Sequence, residues 1–298
     1  MKEYAIFLGC IIPNRYPGIE TTSTSILKDF DIELLPINGA SCCPAPGVFS
    51  SFHLESWLAI AARNIAIGEE TGRDIVTMCN GCYGSLAEAN HLLNGNKELK
   101  DKINDILSKV GCEFKGNSKI KHMIEVFSED IGVKKIQEYM KNPLDGIKVC
   151  THYGCHFLKP SEIKKHGSSE RPKFLDELVR ATGAESIDYK DKTMCCGFGG
   201  GVRARDIDVT LDFTREKLKN IISAGGDCIV DQCASCHLEF DRGQAEIKKI
   251  YGEEFRLPVL YFTQLIGLGI GMGQKELGLT FQNIPAESLL DKINGRKK

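Results

Sequence analysis

The chain has almost no net charge, since 38 lysines and arginines stand against 40 aspartates and glutamates, a balance of −2. That excludes bulk electrostatic attraction to nucleic acid or to an anionic membrane. A long apolar run is also missing. The best candidate, LYFTQLIGLGIGMG at residues 260–273, contains four glycines and falls short of the roughly 20 residues a membrane span needs. The opening MKEYAIFLGCIIP has neither the extended apolar region nor the small-residue cleavage site of a secretory leader. Together these absences predict a cytoplasmic protein.

Cysteine, by contrast, is abundant: 13 residues in a chain of 298. A chain of this length, 42% hydrophobic, can bury a core without covalent staples. A reducing compartment disfavours disulfides, and an odd count fits poorly with complete pairing. Metal binding or redox chemistry is the expectation. The length itself predicts two domains of about 150 residues.

The cysteines repeat. Cys10 is followed by 31 residues, the doublet Cys42-Cys43, 35 residues, and then Cys79-x-x-Cys82. Cys155 is followed by 39 residues, the doublet Cys195-Cys196, 36 residues, and then Cys233-x-x-Cys236. Both first cysteines follow a glycine, in IFLGC and THYGC, and both Cys-x-x-Cys pairs follow a strand-like lead-in, in DIVTMCNGC and DCIVDQCASC. This is an internal duplication. It divides the chain into a first module with a helical connector, residues 1–145, and a second module, residues 146–298.

Secondary structure has the same rhythm in both halves. Strands are expected at 4–8, 32–37 and 74–78, with a short helix capped within TTSTS (21–25), a helix over 53–67 stopped by Gly68, and another at SLAEANHLL. In the second half, strands are expected at 146–152 and 227–232, with helices over KFLDELVRATG and DIDVTLDFTREKLKNIISAGG. The charged stretch 97–141 reads as solvated helices joining the halves. Alternating strands and helices predict an α/β fold of two parallel-sheet modules. In such sheets chemistry collects beyond the carboxyl ends of the strands, where these cysteines fall.

Three chemistries compete for the thiols. Zinc prefers four ligands and would leave one of five cysteines over in each module. A catalytic dithiol uses one Cys-x-x-Cys and leaves the other three idle. Iron–sulfur ligation suits thiolate donors best. Adjacent side chains in extended chain point apart, so a doublet does not readily chelate one ion but reaches two irons of one cluster. Five cysteines, against the four of an ordinary cube, suggest a cluster opened beyond the cube.

The doubled pattern resembles the cysteine-rich CCG domain, and the two-copy chain is similar to the family of heterodisulfide reductase B subunits of methanogenic archaea. One departure is Pro44, where the first doublet continues as Cys-Cys-Pro rather than Cys-Cys-Gly. The resemblance implies a Rossmann-like fold for each module and two non-cubane [4Fe-4S] clusters. Their ligands would be Cys10, Cys42, Cys43, Cys79 and Cys82, and Cys155, Cys195, Cys196, Cys233 and Cys236. It implies the last step of methanogenesis, reductive cleavage of the coenzyme M–coenzyme B disulfide, CoM-S-S-CoB, to two thiols. The implied partners are the ferredoxin-like C and flavin-containing A subunits of the same enzyme, with a hydrogenase or formate dehydrogenase beyond them. No ferredoxin-type C-x2-C-x2-C-x3-C run is present, so electrons must arrive from a partner. The rival reading is an electron-transfer component of another oxidoreductase, of the thiol:fumarate reductase or glycolate/glycerol-3-phosphate type, without a substrate site of its own.

A disulfide takes two electrons, and a cluster normally passes one at a time, so a pair of facing clusters suits the reaction. Its products need protons, and His156, joined to Cys155, is the first candidate donor, ahead of His152 and His237. The other histidines, His53, His91, His122 and His166, read as surface or helix residues. The implied substrate carries a sulfonate and a phosphate. Arg203 and Arg205, in CCGFGGGVRARD before a helix start at Asp206, form a candidate anion cradle, with Lys159 and Arg15 as weaker candidates. Cys150 and Cys228 lie within strand-like runs and read as small buried hydrophobes. Cys112, near a helix end, has no evident role.

Overall fold

The computed structural model describes residues 1–199 and 201–295. Eight strands form two sheets of four. The first holds β1 (Lys2–Phe7), β2 (Ile32–Pro36), β3 (Ile75–Thr77) and β4 (Ile120–His122) in the order β2-β1-β3-β4. The second holds β5 (Lys148–His152), β6 (Glu185–Ser186), β7 (Cys228–Asp231) and β8 (Val259–Tyr261) in the order β6-β5-β7-β8. Every pairing is parallel. The central strands are buried along most of their length, as sheets covered by helices on both faces require.

This strand order decides where the chemistry lies. From β1 the chain crosses to β2 on one side, and from β3 it crosses to β4 on the other. The crevice beyond the carboxyl ends of β1 and β3 is therefore a topological switch point, as is that of β5 and β7. Cys10 and Cys79 follow β1 and β3, and Cys155 and Cys233 follow β5 and β7.

Three local expectations need correction. Thr21–Ser25 do not cap a helix but lie inside Pro17–Asp29, which starts on Pro17. Two of their hydroxyls turn back onto the helix instead, Thr21 Oγ1 donating to Gly18 O at 3.2 Å and Ser23 Oγ to Ile19 O at 2.7 Å. Gly68 does not stop its helix, which runs Leu54–Glu69. A Cβ there would come within 2.4 Å of Ile75 Cδ1, so the glycine lets helix and strand approach closely. Residues 97–141 are more than a solvated connector. Helix Lys97–Ser108 is amphipathic, but β4 follows it, and Phe114, Met123, Ile124, Val126 and Phe127 are buried in the core. The apolar run at 260–273 becomes the end of β8 and the buried helix Phe262–Ile270. Among the described residues no helix is long and apolar enough to cross a membrane.

The modules meet through buried polar contacts. Tyr16 Oη donates to Asp241 at 2.8 Å, Tyr261 Oη to Met78 O at 2.8 Å, and Asn80 Nδ2 to Tyr153 O at 2.7 Å. Unpaired, each such group would cost stability, so these bonds fix the relative placement of the modules.

Candidate iron–sulfur site

All ten repeated cysteines line one cavity of about 600 Å³. Each module contributes a contiguous set of thiols. In the first, contacts run from Cys10 to Cys42, Cys43, Cys82 and Cys79. In the second they run from Cys155 to Cys195, Cys196, Cys236 and Cys233, with Cys196 Sγ 3.4 Å from Cys236 Sγ. The sets join where Cys79 Sγ lies 3.8 Å from Cys233 Sγ. All thirteen cysteines are free thiols.

Local structure explains this convergence. Cys79 and Cys233 are N-caps of helices Asn80–Gly95 and Ala234–Tyr251, and Cys82 and Cys236 lie in the first turns of those helices. Helix N-termini favour thiolate over thiol. The Gly-Cys pairs bring the first cysteines in. Gly9 and Gly154 have φ of +71° and +75°, and a Cβ would lie 2.8 Å from Cys82 Sγ at Gly9 and 3.5 Å from Cys236 Sγ at Gly154. Only glycine combines that backbone with so close an approach.

The doublets are held differently in the two modules. Gly197 after the second doublet has φ +102°, with Thr210 O 2.4 Å from where a Cβ would sit. At the first doublet Pro44 replaces the glycine, and its carbonyl accepts from Trp57 Nε1 at 3.0 Å and Ser85 Oγ at 2.5 Å. Asn64 fixes the same loop, donating to Cys42 O and accepting from Ser41 N.

Crowding splits the thiols electrostatically. Hydrogen bonds from Cys42 and Cys82 hold Cys43 down at about 5, and those from Cys155 and Cys196 hold Cys195 far below the usual thiol range. Their neighbours Cys42 and Cys196 are pushed up in return. Contiguous sulfur donors, 3.4 and 3.8 Å apart at two of their contacts and free of disulfides, are a soft donor set that fits iron–sulfur groups. His152 extends the set, because its ring and the sulfurs of Cys196 and Cys236 all lie within 4.8 Å of one another and are buried.

The remaining predicted residues fall in and around this cavity. His156 lines it, packed near Gly84 and Gly199, and burial lowers its pKa from the ordinary histidine value. Arg203 also lines it, but its guanidinium is taken up by Glu239, at 2.8 Å, and by Glu246. These two ion pairs take one hydrogen from each of Nη1 and Nη2 and offset the guanidinium's charge. The helix start after Arg203 is occupied too: Asp206 caps its own helix by accepting from Val209 N at 3.1 Å. Arg205 is exposed, and Gly200 of the same loop lies outside the described residues. Next to the cavity, and sharing Leu238 with it, is a polar pocket of about 360 Å³ lined by Asn14, Arg15, Arg242 and Asn283.

Other histidines are less peripheral than their sequence positions suggest. His122 is fully buried, and His166 stacks on Phe157 at 4.0 Å. His237 is buried against Asp231 at 3.1 Å. Cys150 and Cys228 are fully buried in β5 and β7 and line no part of the cavity, and Cys112 is half-buried beyond helix Lys97–Ser108. Lys217 had no sequence signal. It is buried, donates to Asp191 O and Lys192 O, and its pKa is pushed down to about 8 by burial.

Residues 4–87 and 149–241 match the cysteine-rich domain family. The chain is 48% identical to the B subunit of the ferredoxin:CoB-CoM heterodisulfide reductase of Methanosarcina mazei, covering 98% of this chain and 97% of the relative. It is 47% identical, with the same coverage, to the B subunit of the ferredoxin/F(420)H(2)-dependent CoB-CoM heterodisulfide reductase of Methanosarcina acetivorans. A crystal structure of a hypothetical protein from Helicobacter pylori shares the fold with a TM-score of 0.75 at 14% identity, over 95% of this chain and 52% of that one. With the thiols grouped five and five at two equivalent switch points, and with identity of this extent, the chain belongs to the cysteine-rich domain family, among the heterodisulfide reductase B subunits.

Proposed function

We propose that this protein is the disulfide-cleaving component of a heterodisulfide reductase, converting the mixed disulfide of coenzyme M and coenzyme B to two thiols. The observation that carries this reading is the single cavity lined by all ten repeated cysteines. In this reading each module holds one non-cubane four-iron cluster, on Cys10, Cys42, Cys43, Cys79 and Cys82 in the first and on Cys155, Cys195, Cys196, Cys233 and Cys236 in the second. When bound, the two clusters supply the two electrons that the disulfide takes up, one from each. The balance is completed by two protons, so one disulfide gives two thiols.

The chain's own residues do the rest. Leu8, Ile11, Phe198 and Leu238 give the cavity an apolar wall that keeps water from the sulfur–sulfur bond. His156, on the same wall, holds a proton on its ring and gives it to a product sulfur. The pocket beside Leu238 offers Arg15 to an anionic end of the substrate, beside Arg242, whose Nε is held by Glu246 at 2.8 Å, and exposed Arg205 is a further cationic contact. Arg15 forms no ion pair among the described residues, which leaves its charge available. Electrons enter from the other members of a heterodisulfide-reductase-type complex, the ferredoxin-like C and flavin-containing A subunits.

The test is iron and sulfide content of the anaerobically purified protein, together with thiol release from the coenzyme M–coenzyme B disulfide driven by a low-potential dye. About eight irons per chain and two thiols per disulfide are expected. Stoichiometric zinc without iron would overturn the reading. Full iron with electron transfer but no thiol release would make the chain a conduit.

A further inference from the structure

The duplication makes the two modules comparable residue by residue, and one position differs sharply. Phe7 lies three residues before Cys10, and His152 lies three residues before Cys155. The sheets give the same equivalence independently. Phe7 ends β1 opposite Thr77, two residues before Cys79, whereas His152 ends β5 opposite Asp231, two residues before Cys233. One module thus has a hydrocarbon ring where the other has an imidazole.

That imidazole is unusual. His152 is 1% exposed, and neither ring nitrogen has a hydrogen-bond partner. A buried imidazole without a partner is costly, and native structures rarely leave one so. The other buried histidines of this region have at least one partner: His122 Nδ1 accepts from Ile124 N, and His237 pairs with Asp231. The groups around the ring are the edge-on Phe240, at 4.8 Å between centroids, the sulfurs of Cys196 and Cys236, and, acting electrostatically, the Lys217 ammonium and Cys195. One unused ring nitrogen therefore lies beside thiols that would hold the second iron–sulfur group.

A second difference lies on the helices behind the doublets. Asn64 and Lys217 each lie 21 residues after the second cysteine of their doublet, and both are fully buried. The first module has a neutral amide here and the second an ammonium. Of the buried acids of the second module, Glu239 pairs with Arg203 and Asp176 with Lys192, Asp231 bonds His237, and Asp241 is held by Tyr16 and Asn283.

We propose that His152 contacts the second module's iron–sulfur group through a ring nitrogen, and that this contact sets that group at a higher reduction potential than the first module's group. Imidazole contact and hydrogen bonds to cluster sulfur both favour the reduced form, so the second group fills with its electron first. Phe7 offers the first group no such contact. The inference rests on the proposed cluster assignment, and goes beyond it by making the two halves of the duplication inequivalent.

The experiment uses the anaerobic wild-type protein, His152→Phe and the reciprocal Phe7→His. Each is assayed for iron, for the two midpoint potentials by EPR-monitored titration, and for nitrogen hyperfine coupling by pulsed EPR. The wild type should show an imidazole coupling on its higher-potential group. His152→Phe should abolish that coupling and lower that potential, leaving the other unchanged. Phe7→His should raise the lower potential. If His152→Phe loses iron, the wild type and Phe7→His decide: no imidazole coupling in the wild type, or an unmoved lower potential in Phe7→His, overturns the inference. Two full clusters with no coupling removed by His152→Phe, or with both potentials unmoved, would overturn the inference. A wild type without iron would instead overturn the cluster assignment.

Discussion

Cys79 and Cys233 touch across the two modules, their sulfurs 3.8 Å apart although 154 positions separate them in the chain. Each caps the equivalent helix of its own module, and Ser235 Oγ lies 3.6 Å from Cys79 Sγ at the same junction. The two thiol sets are therefore continuous. Two iron–sulfur groups held by them should interact magnetically. EPR of the fully reduced protein should show a spectrum broadened by spin–spin coupling. Two independent, unbroadened signals would mean that the groups lie farther apart than this junction allows.

Replacing Gly9 or Gly154 by alanine should disturb one iron–sulfur group each. A positive φ costs a side-chain-bearing residue about 1–2 kcal/mol, and at Gly9 the new methyl collides with Cys82 Sγ at 2.8 Å. At Gly154 it collides with Asn80 Nδ2 at 2.1 Å and crowds Cys236. Iron content should fall toward half in each variant. Gly72→Ala, with a similar φ of +70° but nothing within 4 Å, controls for backbone strain alone and should keep its iron.

The non-motif cysteines should behave as core residues. Cys150→Ala and Cys228→Ala remove buried sulfurs that lie outside the cysteine-lined cavity and should lower stability by roughly 1 kcal/mol each, with iron content unchanged. Cys43→Ala and Cys196→Ala should each lose a cluster. Iron assay beside thermal denaturation separates the pairs, and loss of a full cluster in Cys150→Ala would show the ligand set to be wrong.

His156→Gln should retain both clusters while turnover falls by about 10²–10⁴-fold, the usual cost of losing a general acid. Disulfide reduction with an artificial donor measures it. A variant that turns over at the normal rate removes His156 from the mechanism and leaves a different proton source.

Glu125 carries a pH dependence remote from the cavity. Burial pushes its carboxyl up to about 7, with nearby Glu129 adding to the rise and Lys121 opposing it. Between the ordinary carboxylate value and about 7, the folded state keeps a proton that the unfolded state has released. Stability therefore falls as pH rises through that window and is level above it. Glu125→Gln should match wild type near pH 4.5 and exceed it above pH 7, by on the order of 1–3 kcal/mol after allowing for partial exposure. Thermal midpoints of both proteins from pH 5 to 8 test this, and parallel curves would refute it.

Much of this was legible in the sequence because spacing survives folding. Cysteines that follow strands at Cys10, Cys79, Cys155 and Cys233 must emerge at the carboxyl edge of a parallel sheet, whatever the helices do. The buried roles of Cys150 and Cys228 also followed from their strand-like surroundings. Local signals failed where packing overrode them. Gly68 looked like a stop and instead serves close contact with Ile75, and charged residues around β4 hid a strand whose neighbours Met123, Val126 and Phe127 are buried.

The sequence alone determined that there are two modules, which thiols belong to each, and at which ends of the strands they lie, because duplication and strand periodicity are properties of the linear chain. Tertiary structure decided what those thiols and their neighbours face. Contacts such as Cys79 with Cys233, Arg203 with Glu239, and His152 with Cys196 and Cys236 join residues far apart in the chain. No local propensity encodes them. They exist because each buried polar or charged group must find a partner once the modules close on one another, and where His152 finds none, the packing itself marks the place.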